Sequence, residues 1–140
     1  MSRLKMFLSL NLVWGGLLLA AEPKSLTYTE AVKEAKVTGK IIMIKAISSH
    51  CHYCLEMDKE VFANPKVQAV LDKGFLSVSI DVGKEALPLG LKSQMTPTFF
   101  FVTFQPKQSK PKIKRIPGAW HNKEFLEILT EIQTTQRSHR

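Results

Sequence analysis

Cys51 and Cys54 are the only two cysteines in this 140-residue chain, and only His52 and Tyr53 stand between them. A pair at this spacing suits reversible thiol–disulfide exchange, metal ligation or a structural staple. Stapling is the weakest motive: a four-residue loop yields about 2 kcal/mol in the chain-entropy account, against ~4.7 for a hundred-residue loop. Metal is a fuller alternative, because His50-Cys51-His52-x-Cys54 is dense in copper and zinc ligands. Consecutive residues, however, rarely aim all their side chains at one tetrahedral centre. His121 and His139 are distant, one near a helix start and one in a polar tail. Covalent haem attachment is excluded, since Cys-x-x-Cys-His would need histidine where Leu55 stands. Redox exchange is therefore the leading reading, and a copper- or zinc-binding module is the alternative.

Exchange needs a thiolate, and a free thiol of pKa ~8.5 is only about 3% ionised at pH 7. The surrounding elements have to supply the difference. Residues 40–47 (KIIMIKAI) are β-branched and nearly all apolar, as in a strand covered on both faces. Ser48-Ser49-His50 is a polar turn leading into the cysteines. From 51 to 62 the apolar positions Cys54, Met57 and Val61 recur at helical spacing. Cys51 then sits at a helix N-terminus, where unpaired N–H groups and the positive dipole end favour S⁻. His52 adds to that effect when cationic, and His52 and Tyr53 together set the charge and the donors beside the thiolate. Cys54 falls one turn further in, on the core-facing side. Cys51 is thus the candidate nucleophile and Cys54 the resolving thiol.

The rest of the chain supplies a frame for that unit. Residues Tyr28–Thr38 predict an amphipathic helix, capped by Thr29 and stopped by Gly39. Asn64-Pro65 ends the helix that carries the cysteines and caps another over 66–73, which Gly74 terminates. Phe75–Asp81 alternates as a second strand. Pro88 and Gly90 keep 83–95 a loop with at most a turn or two of helix. A third strand over 98–104 and a hairpin through 105–110 lead to a short basic edge strand, 112–116. Asn122 caps a last helix to about Ile132, and 133–140 reads as a frayed polar tail. A βαβ unit followed by a hairpin and a helix makes a central mixed β-sheet with helices on both faces.

Composition narrows the partners. With 44% hydrophobic and 23% charged residues, the chain is globular rather than disordered. Residues 1–21 have the form of a secretory signal peptide: Arg3 and Lys5, an apolar run, then Ala20-Ala21. The alternative for this segment is an uncleaved membrane anchor. Export, to a periplasm or beyond, would leave a domain over 22–132 and place its cysteines where disulfides persist. The net charge is +8, or +6 without Arg3 and Lys5. Five of the nine residues over 107–115 are Lys or Arg, but no aromatics interleave them, so nucleic acid is not the expected partner. A charged edge that discourages sheet-to-sheet pairing, or a face for an acidic partner, fits better.

A buried strand that delivers Cys-x-x-Cys to the start of a helix, with Met95-Thr96-Pro97-Thr98 opening another apolar strand, resembles the thioredoxin-like family. The resemblance spans 25–132. The run Cys54-x-x-Met57-Asp58-x-Glu60-Val61-Phe62 is similar to small exported members of the SoxW and DsbD C-terminal-domain kind. It implies the α/β thioredoxin fold and an exported thiol–disulfide oxidoreductase that acts on protein disulfides or dithiols as a monomer. No prosthetic group is implied. It also implies a cis Thr96–Pro97 bond, with Thr96 offering its backbone to an extended substrate and Pro97 keeping metal off the thiols. A DsbD-type membrane thiol transporter is the implied electron donor. Histidine inside the motif resembles the oxidant DsbA, whereas Tyr53 with Thr96 before the proline resembles the isomerases DsbC and DsbG. About 120 residues leave no room for the isomerases' dimerisation domain, which favours a reductase; an oxidase or isomerase is the alternative. Two positions depart from the family. His50 stands where tryptophan is usual. Lys45 stands where a buried acid often serves the second thiol. A neutral Lys45 accepts a proton and a charged one favours thiolate; the third option is that its head snorkels to the sheet edge.

Overall fold

The computed structural model describes residues 25–138; the segment read as a signal peptide lies outside them, as does His139. Helix α1 (Tyr28–Thr38) leads into β1 (Ile41–Ile47). Helix α2 (His52–Glu56) then passes into a π-helical turn (Met57–Val61), followed by α3 (Pro65–Gly74) and β2 (Phe75–Asp81). A short 3₁₀ turn (Pro88–Gly90) precedes β3 (Thr98–Thr103), β4 (Lys112–Pro117) and α4 (Asn122–Ser138). The sheet is mixed, in the order β2-β1-β3-β4, with β1 parallel to β2 and the other pairs antiparallel.

Strand alternation sorts the core into two layers. Ile42, Ile44 and Ala46 of β1 join Leu76, Val78, Ile80, Phe100 and Val102 beneath α1, which contributes Ala31 and Ala35. Ile41 and Met43 point the other way, with Phe75, Phe99 and Phe101, under α2, α3 and α4. The central strands are buried on both faces, as their unbroken apolar composition requires.

Local chemistry fixes the element ends. Thr27, rather than Thr29, caps α1: its hydroxyl accepts the Glu30 N–H at 3.3 Å, and the Glu30 carboxylate takes the Thr27 N–H at 2.8 Å. Such a capping box needs an acid three residues after the cap, and Thr29 has Val32 there. Gly39 closes the helix at φ 70°, the left-handed conformation glycine adopts without strain. The Asn64 side chain caps α3 by accepting the Lys66 and Val67 N–H groups.

Two segments differ from the sequence reading. The helix predicted over 51–62 changes pitch at Met57, where the Phe62 N–H reaches back five residues to the Met57 carbonyl at 2.8 Å. Helix α4 does not fray after Ile132 but continues to Ser138, because Gln136 Nε2 donates to the Gly39 carbonyl at 2.9 Å. Asn122 begins this helix without capping it. The Phe125 N–H bonds the His121 carbonyl, and Asn122 Oδ1 is buried without a partner among the described residues.

Candidate active site

Strand β1 and the turn after it set Cys51 at the N-cap of α2, with extended φ and ψ of −92° and 101°. Its sulfur accepts the Cys54 N–H at 3.1 Å, so the cap that oxygen side chains usually provide is made by Cys51 Sγ. The two cysteines form a disulfide with Cα atoms 5.2 Å apart, and each is only 7% exposed. One helical N–H is therefore already aimed at the sulfur that would carry negative charge after reduction. Such a donor favours thiolate.

Two polar ties hold the turn in front of Cys51. Ser48 Oγ and Thr96 Oγ1 share a hydrogen bond of 3.0 Å, which joins the cysteine turn to the loop that opens β3. Ser49 Oγ donates to Asp81 Oδ2 at 2.6 Å, which joins it to the end of β2. The Ser49 hydroxyl, and after it the Gly83 N–H, hold the Asp81 carboxyl below the ordinary carboxylate range; Lys84 adds to this. Sequence reasoning missed Ser48, Ser49 and Asp81. Their pairings span 48 and 32 positions, and no local spacing announces them.

The Thr96–Pro97 peptide bond is cis. Pro97 is buried, and its carbonyl accepts the Gly118 N–H at 2.9 Å. Thr98, also buried, donates its hydroxyl to the Met95 carbonyl at 2.7 Å. Among the described residues nothing hydrogen-bonds the Thr96 backbone, which leaves one open backbone segment beside the cysteine turn.

The flanking residues are arranged more loosely. His50 is exposed. His52 Nε2 lies 3.4 Å from Glu56 Oε1, one helical turn on, and its ring meets the edge of Tyr53 at 5.7 Å. Tyr53 itself is 61% exposed. Among the described residues no three His, Cys, Asp or Glu side chains converge on a point that would hold a metal ion. Of the donors in His50-Cys51-His52-x-Cys54, the two histidines are exposed and the two cysteines are buried in the disulfide.

Lys45 lies on β1, an interior strand, and its side chain is 16% exposed. Its Nζ sits 3.3 Å from Asp58 Oδ1 and 4.2 Å from the centre of the Phe62 ring, beneath the π-helical turn. Phe62 in turn packs on Phe99 and Phe125, with ring centres 6.0 and 5.5 Å away. A cation on an inner strand is tolerable only with such partners. Asp58 and Phe62 belong to the run that carried the family resemblance, but their pairing with Lys45 was not visible there.

A profile of the thioredoxin-like domain matches residues 28–133. A solution structure of a thioredoxin from Thermus thermophilus superposes with a TM-score of 0.64 at 29% identity, over 78% of this chain and 85% of that one. The DsbH oxidoreductase superposes with a TM-score of 0.60 at 17% identity, over 85% and 94%. The reduced C-terminal domain of DsbD from Neisseria meningitidis gives 0.53 at 18% identity, over 71% and 87%. The last two likenesses concern the fold. None of the curated proteins matches the sequence.

Proposed function

Given that this chain belongs to the thioredoxin-like family and is a thiol–disulfide oxidoreductase of that fold, we propose that it works outside the cytoplasm as a reductase of protein disulfides. The observation that carries the exchange chemistry, in either direction, is the capping of α2 by Cys51 Sγ beside the open Thr96 backbone. An extended substrate segment pairs with the Thr96 N–H and carbonyl, which brings one of its disulfide sulfurs to Cys51. The Cys51 thiolate attacks that sulfur, the substrate S–S bond breaks, and one substrate cysteine leaves as a thiolate that takes a proton from solvent. Cys54, deprotonated in turn, attacks Cys51 Sγ and expels the second substrate thiol. Two electrons and two protons pass to the substrate, and the Cys51–Cys54 disulfide remains.

Each turnover consumes the dithiol, so a continuous reductase needs a donor. For an exported domain, a membrane thiol transporter of the DsbD type meets that need. Export itself rests on the pattern of residues 1–21, and the reductase sense is supported by the 29% identity to a thioredoxin. His52 and Tyr53 tune the poise through charge and donors at the helix start, and His50 flanks the nucleophile.

The roles of the two cysteines are separable by mutation. Cys51→Ser abolishes insulin-disulfide reduction, while Cys54→Ser stalls after the first step and accumulates mixed disulfides visible on non-reducing gels. Full activity in Cys51→Ser would overturn the assignment.

A further inference from the structure

Beside the cysteines lies a cleft of about 200 Å³ between α2 with its π-helical turn and the segment joining β4 to α4. Its lining is chemically mixed. Met57 and Trp120 contribute apolar surface, Tyr53 contributes an exposed ring, and Glu56 and Glu60 contribute carboxylates. His121 is the one basic residue lining it. The Glu60 carboxylate has no hydrogen-bond or ion-pair partner among the described residues, and the Glu56 carboxylate has only His52, a partner in charge when that ring is protonated. Tyr53, which stands between the two cysteines in sequence, is one wall of the cleft, so the cleft adjoins the segment that carries them.

We propose that this cleft is a specificity pocket that accepts a lysine or arginine side chain of the protein substrate, close in sequence to its reactive cysteine. The inference rests on the reductase reading above. A long cationic side chain matches the lining part by part: its methylene stem covers Met57 and Trp120, and its charged head meets Glu56 and Glu60. The Tyr53 and Trp120 rings add attraction for a cation. An apolar side chain would cover the same floor but strip water from two carboxylates without replacing it, and an acidic one would be repelled. The wider charge distribution strengthens the contrast. The chain carries +8, with a cluster at Lys107, Lys110, Lys112, Lys114 and Arg115 on the hairpin and β4, so the cleft is a local acidic spot on a basic molecule.

The test uses the reduced full chain and peptides closed by one intramolecular disulfide, identical except for Lys, norleucine or Glu beside one cysteine. The lysine peptide should be reduced with a kcat/KM about tenfold above the glutamate peptide at low ionic strength, a gap that narrows as salt is added. Glu56→Gln with Glu60→Gln should shrink that ratio to near one, and Glu60→Lys should invert it. Equal rates on all three peptides, or a preference that survives the double substitution, would overturn the proposal. Hydroxyethyl disulfide, small and uncharged, separates the two levels of the account. Wild type that reduces it without discriminating among peptides refutes the pocket alone, whereas wild type that reduces nothing refutes the reductase reading and the pocket with it.

Discussion

Beneath α1 the sheet presents Ile42, Ile44, Ala46, Leu76, Val78, Ile80, Phe100 and Val102, an apolar surface closed by Ala31 and Ala35. Beneath α2, α3 and α4 the same strands present Met43, Phe99 and Phe101, but also Lys45 with its partner Asp58. That second face also carries the change of helical pitch at Met57 and the disulfide. Trp120 packs against it too, with a buried indole N–H that has no partner among the described residues. One face obeys the rules of a stable core throughout, and the other, which carries the cysteines, breaks several of them. Local violations of this kind gather where chemistry is done, and the regular face supplies the stability that tolerates them.

Paired substitutions probe this division. Phe99→Ala and Phe100→Ala remove fully buried rings from opposite faces, so each should cost about 3–5 kcal/mol in urea unfolding. Their effects on exchange should differ. Phe99 backs the π-helical turn through Phe62 and Phe125, the latter 5.2 Å away, so its loss slows disulfide reduction per folded molecule. Phe100→Ala leaves that rate unchanged. Equal effects on exchange would break the comparison.

A smaller effect is expected at Lys45. Its partner Asp58 is 54% exposed and stays solvated when freed, so Lys45→Met should change stability by no more than about 1 kcal/mol. The same change removes the cation beneath the π-helical turn, and if that cation favours thiolate the pH profile of exchange should move to higher pH. An unmoved profile would make Lys45 structural only.

The smallest effect belongs to Asp81. Its carboxyl is held below the ordinary range by Ser49 first and Gly83 second, so the unfolded chain binds that proton at a higher pH than the folded one does. The resulting stability is fully present above the usual aspartate pKa of ~3.9 and is lost as pH falls through the lower folded value. Urea unfolding of Asp81→Asn between about pH 3 and 6 should show a shallower acid limb than wild type.

Much of the fold was legible because its signals are local. Apolar runs marked β1 and Phe75–Asp81, and Asn64-Pro65 marked a helix boundary. Cys51 at a helix start was legible for the same reason. The change of pitch at Met57 was not, since Cys54, Met57 and Val61 are buried whether the turn is α or π. The last turns of α4 look like polar tail until Gln136 finds Gly39, 97 positions away. Lys45 illustrates the limit most directly. Sequence identified the position as unusual, but only the folded chain brings Asp58 and Phe62 to it.

The measurement that bears most directly on the reductase reading is the reduction potential of the Cys51–Cys54 pair, taken by equilibrating the domain against defined thiol–disulfide buffers. A value near about −270 mV, in the range of thioredoxin, is the expected result. A value of about −120 to −180 mV, in the range of DsbA and protein disulfide isomerase, would contradict it and make the chain a donor or shuffler of disulfides.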